Sequence, residues 1–146
     1  MLKQSTKIKK ALYAGSFNPV HEGHLDIIHK ASSLFDLLYV VISQNPEKNN
    51  NDFKRNYNDL IQHTQQYENV IIMINSDKLT AKIAAELEVK YLVRSARNQM
   101  DYAFEIDLAS GNKILNKDLE TILIIPDHAY LKVSSALRRA MKDKNV

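Results

Sequence analysis

Two histidines, His21 and His24, stand three residues apart at the end of the stretch Tyr13 to His24, YAGSFNPVHEGH. An imidazole can ligate a metal, move a proton or donate a hydrogen bond to a phosphate. As metal ligands the pair is weak, because no cysteine and no obvious third ligand lies near it in sequence, and no protein-built metal site is expected. As phosphate donors the histidines fit better. The segment reads as a strand stopping at Gly15, a turn through Ser16, Phe17, Asn18 and Pro19, and then a helix that carries His24 in its first turn. A helix start leaves backbone N–H groups unpaired at the positive end of its dipole, which suits an anion. Gly23 would let a ligand approach that backbone closely. The residues alone leave a second reading open, an ordinary helix start with surface histidines.

Strands and helices alternate along the rest of the chain. Short apolar runs predict strands at Ala11 to Gly15, Leu37 to Ser43, Val70 to Ile74, Tyr91 to Val93 and Thr121 to Ile125. Leu25, Ile28, Ala31 and Phe35 mark one face of a first helix that ends at Asp36. A polar surface loop or lid, Gln44 to Asn58, leads to a helix over Asp59 to Tyr67, and a short helix follows over Leu79 to Leu87. From Asn98 to Leu115 a longer helix is expected, with Met100, Phe104, Leu108 and Leu115 as its buried stripe. Ser134 begins a last helix to about Lys142. Helical connections between strands require parallel pairing and right-handed crossovers. The expected fold is α/β: a Rossmann-like, doubly wound, five-stranded parallel sheet with helices on both faces.

In such a sheet ligands gather at the carboxyl ends of the strands. The residues there are Gly15 and Ser16, Asn45 to Lys48, Ser76 and Asp77, Arg94 to Arg97, and Tyr130 to Ser135, so topology alone brings the unusual polar residues to one edge. Guanidinium forks at Arg94 and Arg97 can grip phosphate oxygens in pairs. Asp101, Glu105 and Asn112 share a helix face distinct from the apolar stripe; if it does not face a ligand, it is an exposed polar face with an Arg97 to Asp101 ion pair. A lysine in an asparagine-rich loop, Lys48, is by default solvated, and Ser134 and Ser135 are by default N-caps.

Bulk properties narrow the class. A chain of 146 residues, 45% of them apolar, is one domain over 1–146 with residues 1–8 as a flexible tail. The absence of cysteine excludes disulfides and thiolate metal sites and agrees with a reducing cytoplasm. No apolar run reaches membrane-span length, and no leader follows the first lysines, so neither membrane insertion nor secretion is expected. The net charge is +3, but Lys3, Lys7, Lys9 and Lys10 exceed it by themselves. The body is therefore nearly neutral, and no nucleic-acid partner is expected.

The block G-S-F-N-P-V-H-E-G-H resembles the signature of the HxGH nucleotidyltransferase superfamily. Asn45 to Lys48, Arg94-Ser-Ala-Arg97, Asp101-Tyr-Ala-Phe-Glu105 with Asn112, and Val133 to Arg139 extend the likeness, in order and spacing, to bacterial phosphopantetheine adenylyltransferases. That resemblance implies transfer of an adenylyl group from ATP to 4′-phosphopantetheine, giving dephospho-coenzyme A and pyrophosphate. It implies Mg2+ held mainly through the ATP phosphates, and a homo-oligomer, hexameric in relatives. It implies catalytic roles for His24, Lys48, Arg97 and Ser16. ATP would be bound by Ser16, Phe17, His24, Arg97, Glu105, Tyr130, Ser134, Ser135 and Arg139, and the acceptor by Ser16, Lys48, Leu79, Thr80, Arg94 and Asn112. The chain departs from the pattern at His21, where most such enzymes have Thr, at Ser95 in place of Gly, and at Ala136 and Arg138. It also stops soon after the final helix, without the C-terminal element that many relatives carry. These departures keep two alternatives in view: a nicotinate-mononucleotide adenylyltransferase or cytidylyltransferase, and a non-catalytic nucleotide-binding protein.

Overall fold

The computed structural model describes residues 7–43 and 53–132. Its five strands, β1 (Lys10–Gly15), β2 (Leu37–Ser43), β3 (Val70–Asn75), β4 (Tyr91–Ser95) and β5 (Glu120–Ile124), are all parallel and lie in the order β3-β2-β1-β4-β5. The chain winds outward from β1 to β2 and β3, then crosses back to β4 and β5. The winding therefore reverses between β1 and β4, which opens a crevice above their carboxyl ends. Fold class and strand count agree with the sequence reading, and β2 occupies the bounds expected of it.

Strand alternation sends residues to two cores. Ala11 and Tyr13 of β1 and Leu38, Val40 and Ile42 of β2 pack with Ile27, Ile28 and Leu60 from α1 (Glu22–Leu34) and α2 (Phe53–His63). Leu12, Ala14 and Val41 pack on the other face with Ala81, Ile83 and Ala84 of α3 (Thr80–Glu86). Beside α3 runs α4 (Gln99–Leu115), and Asn116 at its end donates to the Ala81 carbonyl at 3.1 Å. A short 3-10 turn, His128–Tyr130, follows β5. Among the described residues no helix is long and apolar enough to cross a membrane.

Two helices depart from expectation. Residues 53–58, expected to be loop, form the first turns of α2, which ends at His63 rather than Tyr67. Phe53, Tyr57 and Leu60 supply a helical stripe against the core, masked in the sequence by the asparagines around them. In α4 the period is right and the phase is wrong by one residue. Met100, Phe104 and Leu115 are exposed and Leu108 is half-buried, while Glu105 and Asn112 are buried. Asp101, Glu105 and Asn112 thus occupy the inward face of α4, not an exposed polar one, and the cause is the carboxylate's partner on β4, described below. The remaining differences are one or two residues at element ends: β4 runs on by two residues to Ser95, Ile125 lies beyond β5, and α1 stops at Leu34. The tail before residue 7, the segment 44–52 and the expected last helix from Ser134 fall outside the described residues.

The register of α2 is testable with adjacent residues, because Leu60 is fully buried and Ile61 is 37% exposed. Leu60→Ala is expected to lower the unfolding free energy by about 2–5 kcal/mol and Ile61→Ala by less than about 1 kcal/mol, measured by urea denaturation. Equal losses would contradict this phase of the helix.

Candidate active site

Above the carboxyl ends of β1 and β4 lies a cavity of about 340 Å³. Among the described residues, β1 contributes Tyr13, Ala14 and Gly15 to its wall, and α1 contributes His21, Gly23 and His24. Arg94, Ser95 and Arg97 enter from β4 and the residues after it, Asp101, Phe104 and Glu105 from α4, and Pro126 and Tyr130 from the chain beyond β5.

The start of α1 is held by its own two histidines. His21 is the N-cap, and its Nδ1 accepts from the backbone N–H groups of Gly23 at 3.0 Å and His24 at 3.4 Å. The N–H of His21 in turn donates to Nδ1 of His24 at 3.2 Å, so the two residues form a reciprocal capping box with imidazoles in place of the usual hydroxyl and carboxylate. Their rings stack at 3.7 Å between centroids. A Cβ on residue 23 would lie 2.9 Å from Cε1 of His21. The glycine therefore makes room for the capping ring, where the sequence suggested room for a ligand. Phe17, at φ 49°, turns its fully buried ring under Gly15 and edge-on to His24, with centroids 4.8 Å apart. The turn also contains a cis Asn18–Pro19 peptide bond.

This arrangement sets the state of His24. Burial, and secondarily the charge of His21, pushes its imidazole down to about 3, so the ring is neutral in the folded protein across the physiological range. With Nδ1 accepting a hydrogen bond, the proton resides on Nε2. His24 is thereby a neutral N–H donor in the cavity wall.

Arg94 and Glu105 form a bidentate pair, Nε to Oε2 at 2.8 Å and Nη2 to Oε1 at 2.7 Å, and Nη1 donates to the Ala14 carbonyl at 3.1 Å. One side chain thus ties together β1, β4 and α4. Burial opposes the charge on Arg94, but the hydrogen bonds and charge of Glu105 outweigh it and hold the guanidinium above its ordinary value. Each terminal nitrogen keeps one N–H without a partner among the described residues. Arg97 pairs with Asp101, Nε to Oδ2 at 2.9 Å, and its backbone N–H reaches the same oxygen at 3.1 Å. The side-chain bond from Arg97 is the main cause that lowers the Asp101 carboxyl below the usual carboxylate range. Asn98 caps α4 by accepting from the Asp101 N–H.

The cavity brings together five of the residues to which the sequence resemblance gave catalytic or binding roles, His24, Arg94, Arg97, Glu105 and Tyr130, with His21, Gly23 and Asp101 beside them. Ser16 is exposed on the turn beside it, and Phe17 lies beneath, able to offer a ligand only backbone. Leu79 and Thr80 stand at the start of α3, and Asn112 is buried two turns beyond Glu105 on α4; none of the three lines the cavity. Lys48, Ser134, Ser135 and Arg139 lie outside the described residues. Sequence reasoning passed over Tyr13, Phe104 and Pro126. For Tyr13 a signal existed, since a tyrosine inside an apolar strand must find its hydroxyl a polar setting. Among the described residues no three His, Cys, Asp or Glu side chains are grouped to hold a metal ion.

Residues 12–141 match the cytidylyltransferase-like family. The phosphopantetheine adenylyltransferase of Mycoplasma mycoides subsp. mycoides SC is 39% identical over 136 residues, 92% of this chain and 97% of that protein. Its counterpart in Streptococcus agalactiae is 37% identical over 91% of this chain and 83% of its own length. The chain belongs to the phosphopantetheine adenylyltransferase family. Solved structures share the fold of this family member at low identity. A putative nicotinate-nucleotide adenylyltransferase from Vibrio parahaemolyticus superposes with a TM-score of 0.62 at 19% identity, covering 93% of this chain and 82% of that one. Plasmodium falciparum nicotinic acid mononucleotide adenylyltransferase complexed with APC gives 0.63 at 19% identity, covering 92% and 83%.

The depressed imidazole of this phosphopantetheine adenylyltransferase family member has a measurable consequence. In the unfolded chain His24 titrates near the ordinary value of about 6.5, so between that pH and about 3 the unfolded state binds the extra proton. Stability is complete above about pH 6.5 and falls as the pH drops, by up to about 1.4 kcal/mol per pH unit from this group. His24→Asn, whose Oδ1 can still accept from the His21 N–H, is expected to flatten that decline in urea unfolding at pH 7.5, 6.5 and 5.5. An unchanged slope would contradict the buried neutral state.

Proposed function

We infer that this chain transfers the adenylyl group of ATP to the phosphate of 4′-phosphopantetheine, giving dephospho-coenzyme A and pyrophosphate. The observation that carries the reading is a neutral, backbone-anchored imidazole at His24 in one cavity with two arginines, in a chain 39% identical to a phosphopantetheine adenylyltransferase. An oxygen of the acceptor phosphate attacks the α-phosphorus, a new P–O bond forms, and the bond to the β-phosphate oxygen breaks. The acceptor is already an anion, so no general base is required. Catalysis reduces to alignment and to donors aimed at the oxygens where charge accumulates.

His24 supplies such a donor through Nε2–H at the α-phosphate. Arg97, Glu105 and Tyr130 attend the nucleotide, with Ser134, Ser135 and Arg139, and Phe17 contributes backbone. Arg94, with Ser16 and Lys48, meets the acceptor phosphate, and Leu79, Thr80 and Asn112 meet the pantetheine arm. Mg2+ would be carried mainly by the triphosphate oxygens, and when bound it would supply charge neutralisation at the pyrophosphate. The two carboxylates at the cavity are already paired with arginines, which supports a metal carried by substrate oxygens rather than by a protein cage. The enzyme works in the cytoplasm, a reading the lack of cysteine supports.

The test is pyrophosphate release with ATP or CTP against 4′-phosphopantetheine, nicotinate mononucleotide and a cytidylyltransferase acceptor. Turnover is expected with ATP and 4′-phosphopantetheine alone, and turnover only with another pair would overturn the assignment. His24→Ala is expected to lower kcat by at least about 10²–10³-fold while ATP still binds, because a transition-state donor is lost. Undiminished turnover in that variant would remove His24 from the chemistry.

We propose further that the chain assembles as a homo-oligomer, a hexamer by family resemblance. Support comes from Met100, Ile114 and Leu115, which are 83%, 85% and 61% exposed on α4. Sedimentation analysis is expected to find an assembly that the double variant Ile114→Glu, Leu115→Glu dissociates. A monomeric wild type would overturn this.

A further inference from the structure

Beyond β5 the chain makes a corner, Ile125, Pro126, Asp127, before the turn that carries Tyr130. Pro126 and Tyr130 line the cavity, yet among the described residues β5 is an edge strand paired with β4 alone, so no described strand restrains the outer side of this corner. A lysine on α1 does. The ammonium of Lys30 has three N–H groups and meets three acceptors: the Ile125 carbonyl at 2.8 Å, Asp127 Oδ1 at 2.8 Å and Asp26 Oδ2 at 3.1 Å. Asp26 Oδ2 also accepts the Asp127 backbone N–H at 2.8 Å, and the Asp127 carbonyl accepts the Tyr130 N–H at 2.8 Å. Both residues flanking Pro126, and through Asp127 the start of the Tyr130 turn, are therefore fastened to one face of α1.

That helix carries His24 in its first turn. Lys30 lies six residues further along, about 9 Å of helix rise, on the same rigid rod. At the near end, the Tyr130 carbonyl comes within 4.0 Å of the place a Cβ on Gly23 would occupy. The wall thus approaches α1 at its first turn and is tied to the same helix again at Lys30. Hydrogen bonding to Asp127, aided by Asp26 and opposed by slight desolvation, keeps the ammonium charged well past neutral pH.

We propose that Lys30 is a positioning residue for the nucleotide: its three-way contact with Ile125, Asp127 and Asp26 holds the wall of the site at its working distance from His24. The inference rests on the reading of this cavity as an ATP site. Because Asp127 is 64% exposed and the Lys30 side chain 28%, these bonds add little to global stability, and their effect falls on the site.

The experiment measures ATP binding by calorimetry, steady-state kinetics and thermal unfolding for wild type, Lys30→Met, Lys30→Arg and Asp127→Ala. Lys30→Met keeps the apolar stem and removes the charge. It is expected to weaken ATP binding about tenfold, as loosening a wall by a fraction of an ångström does, with KM for 4′-phosphopantetheine within about twofold and Tm lowered by at most a few degrees. Lys30→Arg is expected to recover most of the affinity. Should Lys30→Met not fold, Asp127→Ala carries the same expectation in weaker form. Unchanged ATP affinity in a folded variant, or equal weakening toward both substrates, would overturn the proposal. A wild type that does not bind ATP would instead overturn the functional reading beneath it.

Discussion

Everything at the mouth of the crevice depends on two imidazoles that hold each other's backbone. His21 satisfies two orphan N–H groups of α1, and His24 accepts the N–H of His21. Once Nδ1 of His24 is used in this way, its neutral ring carries the proton on Nε2. The cap therefore does more than start a helix: it selects a tautomer. Gly23 is required because the capping ring fills the space of its missing Cβ, and Phe17 is required as the edge-on support beneath His24. A left-handed backbone at a bulky buried residue is costly, and the packing of Phe17 between Gly15 and His24 is what sustains it.

Around that donor, charge is arranged in advance. Arg94 reaches β1 and α4 from the end of β4, so the distance between the strand ends and the helix is set by a bidentate ion pair rather than by apolar contact alone. Arg97 is aligned in turn by Asp101, itself placed by the Asn98 cap. Cations held in place before a polyanion arrives need little reorganisation when charge shifts during reaction. The same ion pair decides which way α4 rolls. Glu105 must face β4, and Met100 and Phe104, one residue before Asp101 and Glu105 respectively, are carried outward.

A site of this construction suits adenylyl transfer, in which the protein aligns two anionic partners and neutralises what develops between them. The crevice at the reversal of strand order offers the space, His24 on α1 presents a neutral N–H, and the arginines bring positive charge to its wall. The chain beyond β5 closes the fourth side, tied back to the helix that carries the donor.

Local chemistry written in the sequence was enough for the strands, their parallel pairing and the edge at which the cavity opens. Those features follow from apolar runs of strand length, helical connections and the punctuation at Gly15 and Pro126, each of which acts within a few residues. The histidine pair was legible as the start of a helix for the same reason. Tertiary structure alone decided the phase of α4, because a stripe of apolar side chains competes with a single buried carboxylate, and the carboxylate's partner sits on a different element. It alone decided that Gly23 yields to a neighbouring ring, that His24 is neutral, and that Asp26, Lys30 and Asp127 meet across 101 residues of chain. Burial and long-range pairing set those outcomes, and neither is a property of any segment taken by itself.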